Sequence, residues 1–266
     1  MNSANPAAAG LNDAKVAVQK YWDSAPCGSR EPGVSPDDPQ FFRSHARIRY
    51  EREPEILPFA DFEAWKGSQV LEIGVGMGAD FVRFRKAGAH SAGIDLSRES
   101  LKLARRNAAV NQVTPVVTNA DAESLPFADQ SFDLVYSWGV LHHTPDTARA
   151  LDEVYRVLKP SGQFRIMLYH RRSLAALQCY LRYGLLGGRP FAPLSELIAS
   201  HIQCPGAKAY TKDEIRRLFH RFRDVTVTSS VTVYDVRFGR RRFAPRWILN
   251  LVPSGLGWFL LISGQK

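Results

Sequence analysis

The stretch VLEIGVGMGAD, residues 70–80, constrains this chain more than any other. A short apolar run ends in Gly74, Gly76 and Gly78 and then passes into the helical spacing of DFVRFRKAG. Glycine lets the backbone turn tightly and leaves no Cβ between a helix N-terminus and an approaching ligand. A buried strand feeding a glycine loop and a helix is the opening unit of a parallel sheet. The residues that follow repeat the alternation. SAGIDL (91–96) reads as a second strand, and Ser97 caps a helix through RESLKLARRNAAVN. TPVVTN (114–119) and FDLVYSW (132–138) supply the third and fourth strands. A helix over 147–159 is stopped by Pro160, and QFRIMLYH (163–170) is the fifth strand. The expectation is an α/β fold with a doubly wound, Rossmann-like sheet.

After Tyr169 the pattern changes. RRSLAALQCYLRYGLLG and PLSELIASHIQ read as two inserted helices separated by the Gly187–Pro190 turn. TKDEIRRLFHRF (211–222) is a capped amphipathic helix, followed by an alternating strand over 224–236 and a last strand over 257–264. Upstream, LNDAKVAVQKYWDSA has helical spacing and ends at Pro26.

Composition narrows the function classes. A chain of 266 residues can bury one substantial core. Cys27, Cys179 and Cys204 are odd in number and widely spaced, which argues against a disulfide framework or a cysteine-built zinc site and fits a reducing cytoplasm. The opening residues lack the basic flank and apolar run of a signal peptide. The net charge of +9 is spread over many arginines rather than gathered into a stripe. From Val236 to Lys266 there is no acidic residue, and Arg237, Arg240, Arg241, Arg242 and Arg246 precede WILNLV and GWFLLI. This reads as an arginine-rich loop between the last two strands, with peripheral membrane contact through 237–262 as the alternative. Pro253, Gly255 and Gly257 interrupt it too often for a membrane span.

The glycine loop alone leaves the ligand open, because Gly74, Gly76 and Ala79 also satisfy a dinucleotide fingerprint. Three acids tip the choice. Glu72, on the strand before the loop, suits a ligand carrying positive charge better than a pyrophosphate. Asp95, ending the second strand, can accept both hydroxyls of a ribose, and Asp121, after the third, can accept an adenine amino group. With these in place, LEIGVGMG, GIDLS, NADAESLPF, SFDLVYSWGVLHHTPD and EVYRVLKPSGQF, spread over 69–168, resemble the class I S-adenosylmethionine-dependent methyltransferases, in particular the methyltransferase type 11 group. The W…PCG stretch at 22–28 and YEREPEI at 50–56 are similar to a bacterial subgroup of that family.

The resemblance implies a seven-stranded sheet closed by an antiparallel strand pair. It divides the chain into an N-terminal tail and helical lid (1–66), a cofactor-binding core (67–170), a helical insertion on the acceptor side (171–210) and a C-terminal helix and strand pair (211–266). It implies S-adenosyl-L-methionine as cofactor and S-adenosyl-L-homocysteine as product. Glu72, Gly74, Gly76 and Gly78 would cradle the methionine part, Asp95 and Leu96 the ribose and adenine, and Asp121 and Ala122 the adenine edge. Ser137 and Trp138 would border the sulfonium, with Trp22 as a cap.

Methyl transfer is an in-line displacement at a carbon already activated, so the protein supplies proximity, alignment and exclusion of water. No metal is needed. His142 is the first candidate base and His143 the second. Tyr169 ends the fifth strand on the ligand-binding edge, Tyr21 would close the lid, and Arg30, Tyr50 and Tyr210 are acceptor-side candidates. Cys27 reads as a buried small residue. The expected function is methyl transfer to an oxygen or sulfur of a small-molecule acceptor. The alternative is a membrane-associated enzyme acting on a lipid, quinone or glycolipid. Nucleic-acid methylation is disfavoured, as no N/D-P-P-Y/F motif follows the fourth strand, and a non-catalytic cofactor-binding module is the remaining class.

Overall fold

A computed structural model describes residues 6–30, 33–38, 40–202, 204, 206–237 and 243–266. The described elements run α1 (Pro6–Ser24), α2 (Gln40–Arg52), α3 (Ile56–Ala60), β1 (Gln69–Ile73), α4 (Ala79–Lys86), β2 (His90–Asp95), α5 (Arg98–Val110), β3 (Val117–Asn119), β4 (Phe132–Trp138), α6 (Thr147–Val157) and β5 (Leu158–Tyr169). They continue with α7 (Leu174–Cys179), α8 (Leu194–His201), α9 (Lys212–Leu218), β6 (Arg223–Ser230), α10 (Arg246–Leu249) and β7 (Phe259–Gln265). The strands form one seven-stranded sheet in the order β3-β2-β1-β4-β5-β7-β6. β1 to β5 are parallel, and β7 is antiparallel to both β5 and β6. The doubly wound, Rossmann-like fold and its closing antiparallel pair are as expected.

Parallel strands covered on both faces read as continuous apolar runs, and β1 and β4 are buried along nearly their whole length. Alternate side chains serve opposite faces. Leu71, Ile73, Val135, Phe164 and Ile166 meet Leu151 and Val154 of α6 and Ile215 and Phe219 around α9. Val70, Leu134, Tyr136 and Met167 meet Phe62, Trp65, Phe84 and the inserted Ala176 and Leu197.

Several boundaries depart from the sequence reading for local reasons. α6 closes at Val157 rather than Lys159, because Pro160 disfavours helical backbone in the residue before it. The chain then enters β5 at Leu158, and a register shift opposite Phe132–Leu134 absorbs Pro160. β3 begins at Val117, since Pro115 has no N–H to give a ladder. β6 stops at Ser230, where the Asp235 carboxylate takes the Thr232 N–H at 2.8 Å and bends the chain. Thr211 and Glu214 form a reciprocal capping box that starts α9.

Helix α1 lies against α5. Asp23 accepts from the Ser97 hydroxyl at 2.8 Å and from Glu99 N–H at 3.3 Å, and Gln19 donates to the Leu96 carbonyl at 3.1 Å. α7 follows the Ser173 cap and runs on as a π-turn through Tyr180–Leu185.

Candidate active site

A cavity of about 500 Å³ opens at the carboxyl ends of β1, β2, β4 and β5, the edge where ligands enter an open α/β sheet. Its floor is the turn after β1. Gly74 has φ 81°, and a Cβ there would sit 2.1 Å from the Val140 side chain. Gly76 has φ 52°, and a Cβ there would meet nothing within 4 Å, so the loop leaves open space on its cavity side. Gly78 is not part of the wall. It caps α4 against Ala104, where close helix packing explains it.

Acidic groups converge behind this floor. Asp95 lines the cavity and braces the loop, accepting from Gly76 N–H on one oxygen and Ser97 N–H on the other, both at 2.8 Å. Burial pushes its pKa up to about 6, against the pull of these backbone donors. Glu72 is 3% exposed, and its Oε2 has no hydrogen-bond partner among the described residues. Burial first, and then the charges of Asp80 and Asp95 against the opposing Arg49, raise its pKa well above the ordinary carboxylate range. Asp80 goes the other way. Burial alone would raise it, but Arg49, the Tyr50 hydroxyl and the Tyr136 hydroxyl bring it below its usual value.

Of the other expected cofactor residues, Leu96, Ala122, Trp138 and Trp22 line the cavity, the last edge-on to His143 with centroids 5.7 Å apart. Asp121 lines it too, but its Oδ2 is held by Lys15 at 2.6 Å, and the same ammonium holds the buried Glu123 at 2.6 Å. Ser137 does not reach the cavity. Its hydroxyl turns into the sheet and donates to the Ile73 carbonyl at 3.1 Å.

The expected chemistry residues divide more sharply. Tyr169 lines the cavity, stacked on Trp258 at 4.4 Å and packed at a tilt against His142 at 3.8 Å. His142 is fully buried behind it, with no hydrogen-bond partner on either ring nitrogen among the described residues, and burial drives its pKa well below 6.5. It is a neutral packing imidazole. His143 takes the wall position instead, its Nδ1 3.0 Å from the Cys204 sulfur. Tyr21 is 37% exposed and rests edge-on against Trp22, outside the wall. Tyr50 is spent on Asp80 at 3.0 Å and Tyr210 on Thr147 at 2.9 Å, while Arg30 is exposed; none of the three lines the cavity. Cys27, expected to be buried, is exposed at the cavity rim.

Residues with no motif complete the site. Glu53, just past α2, accepts from Trp138 Nε1 at 2.7 Å and from the Tyr234 hydroxyl at 2.8 Å, with Arg49 Nη1 at 3.8 Å. Trp138, Tyr169, Tyr234, Trp258 and Phe259 make an aromatic lobe that opens off the glycine floor.

The profile of the Methyltransferase domain family matches residues 71–166. The demethylmenaquinone methyltransferase of Thermobifida fusca is 31% identical over 65% of this chain and 70% of its own length. The ubiquinone/menaquinone biosynthesis C-methyltransferase of Bartonella bacilliformis is 28% identical over 57% of this chain, which spans 65% of that relative. The chain belongs to the class I S-adenosylmethionine-dependent methyltransferases. Among solved structures, the S-adenosylmethionine-dependent methyltransferases of Mesorhizobium loti (21% identity, TM-score 0.54, 78% of this chain and 96% of that one) and Aquifex aeolicus (16%, 0.52, 86% and 98%) share the fold.

The residues present fit the cofactor of such a methyltransferase. Its sulfonium and ammonium carry positive charge, and the buried Glu72 Oε2, without a partner among the described residues, is the atom that positive charge would satisfy. The open side of Gly76 gives that ligand room beside the loop.

Proposed function

We propose that this methyltransferase acts on an oxygen, or on an adjacent ring carbon, of an aromatic small-molecule acceptor. The observation that carries this reading is the aromatic lobe of Trp138, Tyr169, Tyr234, Trp258 and Phe259 sharing one cavity with the glycine loop. The quinone C-methyltransferases among the relatives extend the expected oxygen or sulfur to carbon, since an electron-rich ring presents both atoms to the same in-line approach.

In this reading Gly74, Gly76 and Glu72 hold the methionine part, Asp95 and Leu96 the ribose, and Asp121 and Ala122 the adenine, with Lys15 keeping Asp121 in place. S-adenosylmethionine, when bound, supplies a methyl group on a sulfonium that needs no further activation. The chain's task is to orient the acceptor, exclude water and take a proton. His142 lies too deep for that task. Glu53 is the carboxylate in the aromatic lobe, and Tyr234 donates to it while keeping an oxygen lone pair for the acceptor hydroxyl. Burial and then the Glu53 charge hold the Tyr234 phenol protonated. As the acceptor oxygen gains the methyl group, its proton passes to Tyr234 and the phenolic proton to Glu53, leaving a neutral acid.

The test is S-adenosylhomocysteine release with a panel of phenols, hydroquinones, aliphatic alcohols and thiols. Turnover is expected with the ring-bearing hydroxyl compounds, and Glu53→Gln should lower kcat about 100-fold with KM nearly unchanged. Turnover confined to thiols or aliphatic alcohols would remove the aromatic reading.

The cofactor assignment makes a separate prediction. In the free protein burial, with the Asp80 and Asp95 charges, raises the Glu72 pKa, so its carboxyl holds a proton more readily than an ordinary one. A positively charged ligand favours the carboxylate, so the pKa falls on binding and a proton leaves. Calorimetry in buffers of different ionisation enthalpy should therefore report proton release with S-adenosylmethionine. Glu72→Gln should abolish that component; an unchanged buffer dependence would exclude Glu72 from the role.

Among the described residues no helix is long and apolar enough to cross a membrane. Of the basic residues expected to favour peripheral contact, Arg240, Arg241 and Arg242 lie outside the described residues. Arg237 lies over the Tyr234 and Phe243 rings at 5.9 and 5.3 Å.

A further inference from the structure

The helical insertion has two differently furnished faces. Inwardly, Ala176, Cys179, Leu197 and Ile198 are buried in the core, and Gln178, Arg182 and Tyr183 line the cavity. Outwardly, Leu177, Leu181 and Leu185 recur at helical spacing along α7 and its π-turn, 49%, 40% and 52% exposed. Leu186 follows at 83% and Phe191 at 97%. The inward contacts fix the orientation of this element, so the apolar outer face is not a misplaced core face. Single exposed leucines need no explanation, but five large apolar side chains within 177–191 form the kind of surface that marks an interaction.

Charge selects the partner. Residues 171–203 contain Arg171, Arg172, Arg182 and Arg189 against Glu196 alone. Arg171 is paired with Glu214 and Arg189 with Glu196, Arg182 lies on the cavity side over the Tyr183 ring at 5.5 Å, and Arg172 is exposed at the start of the element. A second copy docking symmetrically through this face would set its arginines against the same arginines. An anionic surface with an apolar interior matches both properties. We propose that the outer face of 172–191 docks on an anionic lipid bilayer, with Leu177, Leu181, Leu185, Leu186 and Phe191 at the headgroup boundary and Arg172 against lipid phosphates. The inner face of the same helix borders the cavity, so the docked element is also a wall of that cavity. The docking does not depend on which acceptor is used.

The test is co-sedimentation of the full chain with extruded vesicles of phosphatidylglycerol and phosphatidylcholine, against phosphatidylcholine alone. Binding is expected with the mixed vesicles only, weakening as salt is raised. The Leu181→Ser, Leu185→Ser, Phe191→Ser triple variant should bind at least about tenfold less, since each side chain removes the burial of a large apolar group. Unchanged S-adenosylhomocysteine affinity in that variant shows that fold and cofactor site are intact, which separates this test from that of the methyltransferase chemistry. Should the triple variant not fold, Arg172→Glu alone should weaken binding roughly fivefold or more. Absence of binding to the mixed vesicles, equal binding by the variants, or a dimer in light scattering that the triple variant dissolves would overturn the proposal, the last in favour of a second copy.

Discussion

Asp80→Ala is expected to destabilise the folded protein by about 3 kcal/mol, the cost of stripping a buried charge of its partner. Asp80 is 1% exposed at the start of α4 and accepts from Arg49 Nη2 at 2.7 Å, Arg49 Nε at 3.2 Å, and the Tyr50 and Tyr136 hydroxyls at 3.0 Å each. These donors come from α2 and β4, so one carboxylate joins the N-terminal helices to the central sheet. Its removal leaves the guanidinium with Glu53, at 3.8 Å, as its remaining ion pair among the described residues and takes the acceptor from two phenols. Asp80→Asn keeps the shape but not the charge and should recover part of the loss. Asp80 titrates below its ordinary value in the fold, so it stabilises above about pH 4, the unfolded value, and that contribution fades as pH falls through the lower folded one. Urea unfolding of the ligand-free protein should therefore show a low-pH loss of stability in the wild type that is weaker in Asp80→Ala. A midpoint matching wild type at neutral pH would mean that Arg49 and the tyrosines find other partners.

This network also marks where the sequence stops being informative. The sheet is readable because strands buried on both faces must be apolar, and the loop acids because a fixed order of strand, turn and acid places them on one edge. Glu72, Gly74, Gly76 and Asp95 reach the cavity for that reason. Arg49, Glu53, Tyr234 and Trp258 reach it only because α2, the bend after β6 and the start of β7 fold back over the same edge, and no local periodicity encodes a meeting between residues so far apart. His142 and His143 illustrate a finer limit. Both occupy one turn of 3₁₀ helix, Leu141–His143, in which successive side chains point in different directions. The pair is legible as a pair, but which ring faces the cavity is set by the fold, where Tyr169 packs on His142 and Trp22 meets His143 edge-on. Tyr50 and Tyr210 fail as site residues because Asp80 and Thr147 offer their hydroxyls buried partners.

Asp95→Ala should weaken S-adenosylhomocysteine binding about 100-fold or more while leaving the melting temperature nearly unchanged. On the proposed assignment of Asp95 to the ribose, the loss is that of two charge-assisted hydrogen bonds, each contributing about 1.5–3 kcal/mol, with tenfold for every 1.4 kcal/mol. The near-neutral effect on folding has a separate cause. Because the folded pKa, about 6, is raised above the ordinary 3.8, ionised Asp95 costs stability that accumulates as pH rises between the two. Alanine removes that cost along with the bonds to Gly76 and Ser97, and the two changes oppose each other. Affinity carries a pH signature as well. The carboxylate is the stronger acceptor, so wild-type binding should weaken as pH drops through about 6, and Asp95→Asn should lack that step while keeping the proton release linked to Glu72. Equal affinity of Asp95→Ala and wild type by calorimetry would leave Asp95 as a brace for the glycine loop and would move the ribose to another part of the floor.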